Sequence, residues 1–182
     1  MTDPTGTGSV PAVGGSTDRW AFVLPAGWER FPGEAGALAV YRPVTREAGS
    51  GAPVSITEVE LDGVGGRSAE EVGALILSHG YAGCEPVELG GRPGVRLTSD
   101  RSVRQPSGRA VVAHQVTYVV SRDDADGAWL ALTLSTAWDS TPAKALSDAL
   151  VAFFDAAMGT FSWVGHGAQP RHLPPRRVPG SS

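Results

Sequence analysis

The residues of this chain that could do chemistry are four histidines, one cysteine and a short acidic cluster. His114 is the best placed of them, because it lies in the middle of a segment whose alternate residues are apolar. A histidine at such a position is either a core-edge side chain hydrogen-bonded to the backbone or part of a ligand pocket. We favour the first interpretation and keep His114 as the candidate pocket residue.

The acidic cluster resembles a calcium-binding loop but lacks its last ligand. Asp123, Asp124 and Asp126 precede Gly127, as acidic residues precede the glycine of such a loop. Counted from that glycine, the twelfth position should be a bidentate glutamate, and here it is Thr133. We therefore interpret the cluster as a solvated turn between two strands.

No other pattern meets the requirements of a metal or catalytic site. The sequence contains no C-x-x-C or H-x-x-x-H pair, so a structural zinc is not expected. It contains no G-x-S-x-G elbow, and Ser78 and His79 are neighbours on a predicted helix, which should point them apart. Cys84 has no adjacent cation and should behave as a small buried hydrophobic residue. We expect no metal, no cofactor and no enzymatic activity.

Length and composition limit the class of protein. The chain has 182 residues, 41% of them hydrophobic and 19% charged, which suits one globular domain. Its formal net charge of −4 argues against a nucleic-acid partner, and its single cysteine fits a reducing compartment. The first residues lack the basic and apolar regions of a signal peptide, and no apolar run is long enough to cross a membrane. We expect a cytoplasmic protein without membrane insertion.

The ends of the chain differ in composition from its middle. Residues 1–18 are rich in Thr, Gly, Ser and Pro, which predicts a disordered leader. Residues 165–182 contain four prolines and three arginines but no acid, which predicts a disordered tail, partly in polyproline II. This tail could engage an anionic partner or an aromatic groove, or could only keep the chain in solution. The single folded domain should span residues 19–164.

The middle of the chain alternates between strand and helix patterns. The densest signal is a pair of long strands, Ala110–Ser121 and 128–138, followed by an amphipathic helix with Thr141 as its N-cap. Ser68 and Glu71 form a capping box at the start of a shorter helix. Shorter strands are predicted at 20–24, 37–42, 53–61, 85–89 and 94–99, with a β-bulge near Thr57 or Glu58 in the third.

The two faces of the long strand pair differ. One face carries large apolar side chains and His114, and the other carries smaller and more polar ones. We take the more polar face, with two tryptophans expected at its rim, as the candidate binding surface. It consists of Gln115, Thr117, Thr133, Ser135, Trp138 and Trp28.

The order of the elements is bracketed by short motifs. The first is Phe22-Val23-Leu24-Pro25-Ala26-Gly27-Trp28, a glycine hairpin follows at Leu89-Gly90-Gly91-Arg92-Pro93-Gly94, and the last is Gly159-Thr160-Phe161-Ser162-Trp163. Over residues 20–163 this arrangement resembles the PsbP-like superfamily, which includes the Ran-binding Mog proteins and bacterial relatives. The resemblance implies a bacterial α+β protein: an αβα sandwich with a largely antiparallel central sheet flanked by helices. It also implies a mostly non-enzymatic group whose members bind proteins.

Three functional hypotheses are compatible with these features. The first is a non-enzymatic protein-binding module, an adaptor or chaperone-like protein with a secretion-linked role among its forms. The second is a small-molecule or lipid binder, or an unrecognised enzyme, with a pocket between sheet and helix near His114. The third is a structural component of a larger complex. We adopt the first as the prediction and the second as its alternative.

Overall fold

The structure, a computed structural model, describes residues 12–14, 20–43, 54–61, 66–79, 83–121 and 129–164. Most of the predicted leader, the acidic cluster at 123–126 and the predicted tail lie outside these ranges. The described residues form β1 (Ala12–Gly14), β2 (Trp20–Val23), β3 (Trp28–Pro32), β4 (Ala39–Pro43), β5 (Ser55–Leu61), α1 (Ala69–Leu77), β6 (Gly83–Leu89), β7 (Arg92–Arg104), β8 (Ala110–Ser121), β9 (Trp129–Trp138), α2 (Thr141–Met158) and β10 (Ser162–Trp163).

A seven-stranded sheet in the order β3-β4-β5-β9-β8-β7-β6 forms the centre of the fold. Every neighbouring pair in it is antiparallel. The long strand pair predicted from the sequence is confirmed as β8 and β9, whose register runs from Val112 opposite Trp138 to Ser121 opposite Trp129. The class is therefore α+β with a mostly antiparallel sheet, as expected.

A smaller sheet in the order β1-β2-β10 accompanies the main one. β1 lies inside the segment 1–18, for which the composition predicted disorder, and it pairs with β2 from Ala12 opposite Val23 to Gly14 opposite Ala21. Such a short strand is defined by the edge it joins, so composition gives no signal for it. β1 therefore lies outside the span 19–164 predicted for the folded domain.

The two helices lie on opposite faces of the main sheet. Successive side chains of a strand point to opposite faces, and here both faces carry buried apolar residues. One core contains Val116, Tyr118, Val120, Leu130, Leu132 and Leu134 with Phe154, Ala157 and Met158 of α2. The other contains Val95, Leu97, Val119, Trp129 and Ala131 with Val72 of α1. Because α1 has nine residues and contacts mainly β6 and β7, it covers only part of the sheet face on which it lies.

The bulge predicted near Thr57 or Glu58 is absent. The pairing of β5 with β9 is unbroken from Ser55 opposite Ser135 to Leu61 opposite Trp129. The sequence showed apolar residues on both faces of this strand because both faces are covered, Val59 and Leu61 by the core under α1. A strand buried on two sides needs no change of register.

Local capping fixes where the helices begin. The Ser68 hydroxyl accepts from the Glu71 N–H at 3.2 Å, and Glu71 accepts from the Ser68 N–H at 2.7 Å, so the capping box is confirmed. The hydrogen bond from the Ser68 backbone lowers the pKa of Glu71. α2 begins one residue earlier than predicted, because Ser140 and not Thr141 is the N-cap. Neither helix combines the length and the apolar character that crossing a membrane requires, as far as the described residues go.

Candidate functional site

Four of the six residues in the predicted binding surface lie together. Gln115 is opposite Ser135 and Thr117 is opposite Thr133 in the pairing of β8 with β9. The Gln115 amide donates to the Ser135 hydroxyl at 3.3 Å, and the two threonine hydroxyls are 3.0 Å apart. The side chains thus hold one another in place on the face of the sheet that carries α1.

The neighbouring strands extend this patch. Ser55 lies opposite Ser135 and Thr57 opposite Thr133 on one side, and Ser99 lies opposite Gln115 on the other. Directly opposed residues share a face, so seven polar side chains form two rows across four strands. We call this surface the Ser/Thr face: Ser55, Thr57, Ser99, Gln115, Thr117, Thr133 and Ser135. The three additional residues could have been found only from the strand order.

The chemistry available on the Ser/Thr face is hydrogen bonding. Gln115 is exposed, Thr117 is buried, and the other five are half-buried. None of the seven side chains titrates near neutral pH, so the face has no general acid or base.

The two tryptophans predicted to rim this face lie on the opposite one. Trp28 stacks on Phe153 of α2, with ring centroids 5.5 Å apart. Trp138 lies beneath Lys144 of α2, whose ammonium nitrogen is 5.6 Å from the ring centroid. Trp138 is three positions from Ser135, and an odd separation along a strand reverses the side of the sheet. The prediction that the tryptophans rim the polar face is wrong.

His114 pairs with a side chain and not with the backbone. Its Nδ1 donates to a carboxylate oxygen of Asp100, which lies directly opposite on β7. Its ring contacts Trp138, with centroids 5.5 Å apart. The histidine is thus held on the face of α2 by an acid and an aromatic ring. The pocket predicted around His114 stays a prediction.

Ser78 and His79 are in contact, although the sequence predicted that they point apart. The Ser78 hydroxyl is 3.3 Å from His79 Nδ1, and it donates to the Leu75 carbonyl at 2.5 Å. His79 Nδ1 also lies 2.7 Å from that carbonyl. Both side chains fold back over the last turn of α1, where helix geometry no longer separates them. This contact satisfies the helix end and contains no acid to orient the histidine.

A charged cluster joins α2 to the sheet. Arg96 donates to both carboxylate oxygens of Asp155, at 3.0 and 3.1 Å, and the Tyr118 hydroxyl donates to the same carboxylate at 2.8 Å. Burial, followed by the hydrogen bond to Asp155, raises the pKa of Tyr118 to about 12. No local sequence pattern marks this cluster, since Arg96 and Asp155 are 59 positions apart.

A second polar group is buried beneath the small sheet. The Glu58 carboxylate accepts from the Tyr41 hydroxyl at 2.6 Å and from the Trp20 indole at 3.2 Å. Burial, and then the hydrogen bond and charge of Glu58, raise the pKa of Tyr41 well above its ordinary value. The second carboxylate oxygen of Glu58 has no hydrogen-bond partner among the described residues. These three residues tie β2, β4 and β5 together.

Metal and thiol chemistry find little support in the described part of the chain. No group of three or more His, Cys, Asp or Glu side chains there is arranged to hold a metal ion. Cys84 is half-buried and packs in the core under α1, as predicted for a packing residue. Burial, and then the negative charge of Glu85, raise the pKa of its thiol, which disfavours the reactive thiolate.

Comparison with protein-family models and with curated proteins gives no match. Among solved structures, the chain is similar to the solution structure of cyanobacterial PsbP (CyanoP) from Synechocystis sp. PCC 6803. The TM-score is 0.53 at 17% sequence identity, covering 90% of this chain and 98% of that one. It is also similar to the crystal structure of LpqN, involved in cell envelope biogenesis of Mycobacterium tuberculosis, with a TM-score of 0.51 at 15% identity, covering 80% and 83%.

At these identities the similarity shows the fold alone. The fold is PsbP-like, so that part of the resemblance seen in the sequence is confirmed. Kinship with the Ran-binding Mog proteins, and a bacterial origin, stay predictions.

Proposed function

We propose that this chain is a non-enzymatic protein-binding module whose partner binds the Ser/Thr face. The observation that carries the proposal is the partial cover of that face. α1 packs over the β6–β7 end, whereas Gln115 and the half-buried serines and threonines remain accessible within the described residues. An ordered, uncharged and accessible sheet face can accept the backbone or polar side chains of a partner without any rearrangement of the core.

The structural neighbours support an accessory role of this kind. LpqN is involved in cell envelope biogenesis, and CyanoP is a cyanobacterial PsbP. An adaptor or chaperone-like activity, a link to secretion and a cytoplasmic location remain part of the proposal. The alternative, a lipid or small-molecule pocket near His114, would have Asp100 and Trp138 in its wall, because His114 contacts both.

The proposal can be tested by site-specific photocrosslinking in living cells. A photoreactive residue at Gln115, which is exposed on the Ser/Thr face, should give a discrete adduct with one protein. The same residue at Ala152, which is exposed on α2, is the matched control and should give none. Ser135→Arg should abolish the Gln115 adduct, because a long charged side chain would stand on the face and block contact.

A negative result has a defined form. Equal labelling from Gln115 and Ala152, or a Gln115 adduct that Ser135→Arg leaves unchanged, would contradict binding at the Ser/Thr face. Circular dichroism of each variant shows whether the fold is retained.

A further inference from the structure

Among the described residues, no strand lies beside the outer edge of β7 over its last six residues. β6 pairs with β7 from Arg92 to Thr98, whereas β8 pairs with it as far as Arg104. Positions 99–104 therefore form an open edge within the described part of the chain. The side chains from Asp100 to Arg104 along this edge are exposed.

The hydrogen-bonding direction of this edge follows from the turn that ends the strand. The Gln105 N–H donates to the Arg109 carbonyl at 2.9 Å, so Gln105 faces β8. In an antiparallel pair, backbone groups point alternately toward one neighbour and then the other. Asp100, Ser102 and Arg104 must then direct their N–H and C=O groups outward, away from β8.

This edge carries neither a proline nor a bulge, two of the devices that protect a sheet edge from pairing with another strand. The other two edges of the main sheet carry proline, Pro86 in β6 and Pro32 in β3. Residues 99–104 contain no proline, and their pairing with β8 has no bulge. Val103, whose relative exposure is 43%, is a β-branched residue on this edge.

We propose that a second copy of this chain pairs with this edge, antiparallel, about a two-fold axis through Ser102. In that register Asp100 of each copy lies opposite Arg104 of the other, and Ser102 lies opposite Ser102. All three residues have their backbone groups pointing outward, so each exchanges hydrogen bonds with its counterpart. On the other face, Val103 lies against the aliphatic part of Arg101.

Charge selects this register over its neighbours. Side chains keep to the same face only if the register shifts by two residues. A shift in one direction places Arg101 opposite Arg101, and a shift in the other places Val103 opposite Val103 and leaves Asp100 without a cation. Only the register centred on Ser102 brings both charged pairs together. Arg104 makes no ion pair with another described residue, and the Asp100 side chain is 58% exposed beside His114.

The dimer is tested on the full chain by sedimentation equilibrium over a concentration series. The apparent mass should rise from 18.8 kDa toward twice that value, and less so at high salt. Arg104→Glu and Asp100→Lys should each weaken association about tenfold or more, because like charges then face each other across the axis. Ser102→Pro should weaken it as well, since proline removes an outward N–H at the axis. Glu88→Lys, exposed on β6, is the matched control and should leave the dimer intact.

A mixture of the two charge variants gives the sharpest test. Asp100→Lys and Arg104→Glu each oppose like charges when paired with themselves. When the two variants pair with each other, the introduced lysine of one copy faces the introduced glutamate of the other. The remaining Asp100 and Arg104 also face each other, so the mixed dimer should form where neither variant associates alone.

Two results would overturn the proposal: a wild-type chain that stays monomeric throughout the series, or a dimer that both Arg104→Glu and Ser102→Pro leave intact. Circular dichroism shows that each variant is folded. The inference is independent of the proposed function, because the edge variants leave Gln115 and Ser135 unchanged.

Discussion

The two faces of the central sheet are held in different ways. The face toward α2 combines large apolar side chains with a charged cluster. In this cluster Asp155 accepts from Arg96 and Tyr118 at 2.8–3.1 Å, and Arg96 also lies 4.0 Å from Glu85 at the rim. The face toward α1 has a smaller core and then the Ser/Thr face, whose side chains bond to one another. The face toward α2 is occupied by packing and ion pairs that stabilise the fold. The face toward α1 leaves part of its surface available to a partner. Substitutions on the α2 face should therefore mainly lower the free energy of unfolding. Substitutions on the Ser/Thr face should mainly weaken binding of a partner.

The largest difference should come from removing one buried side chain under each helix. Phe154→Ala empties a fully buried site of α2 and should reduce the free energy of unfolding by about 3–5 kcal/mol. Val72→Ala removes two methyl groups of α1 and should cost about 1–2.5 kcal/mol. Urea unfolding followed by circular dichroism measures both. An equal or larger loss for Val72→Ala would show that the α1 core is as important as the α2 core.

The charged cluster should contribute the next largest effect. Asp155→Ala leaves the Arg96 guanidinium and the Tyr118 hydroxyl without their acceptor, and should cost about 1–3 kcal/mol after allowance for partial exposure. Asp148→Ala on the same helix is the control, because among the described residues Asp148 pairs only with exposed Lys144, and it should cost less than about 0.5 kcal/mol. Equal losses for the two variants would remove the distinction between a cluster and a surface pair.

Most of the fold could be predicted from side-chain alternation and helix capping. β8, β9 and both helices were predicted because their patterns lie within a few consecutive residues, as the Ser68 capping box shows. β3 was not predicted, since its residues alternate at an exposed edge where most of them face solvent. The bulge was wrongly predicted because a strand covered on both faces has no polar side to mark its register.

The candidate site could be predicted only in part, for a related reason. Side chains alternate between the two faces along a strand, so pairing β8 with β9 is enough to assign each residue to a face. This is why the prediction places four residues on one face: Gln115, Thr117, Thr133 and Ser135. Trp28 could not be assigned to a face, because its side depends on how β3 joins β4. The contact between Arg96 and Asp155 depends on where α2 crosses the sheet, which no local pattern encodes.

Alkaline pH should lower the free energy of unfolding through Tyr118, which lies on the face toward α2. The raised pKa of Tyr118 means that the folded chain keeps the phenol proton at a pH where the unfolded chain releases it. This stabilisation is complete below the ordinary pKa near 10 and is lost as the pH rises toward 12. Urea unfolding at several values between these limits should show a shallower loss of stability in Tyr118→Phe than in the wild type. An unchanged slope would show that Tyr118 is not coupled to folding.

The smallest effect on stability should come from the Ser/Thr face. Thr117→Val alone leaves Thr133 without its partner and should cost about 0.5–1 kcal/mol, whereas Thr117→Val with Thr133→Val should cost less than about 0.5 kcal/mol. The double variant keeps the shape of the face and removes two of its six hydroxyls. If that face binds a partner, crosslinking from Gln115 should fall while urea unfolding stays nearly unchanged. A large loss of stability in the double variant would instead mean that the hydroxyl pair helps to hold the sheet, and the two faces would then differ less than their side chains indicate.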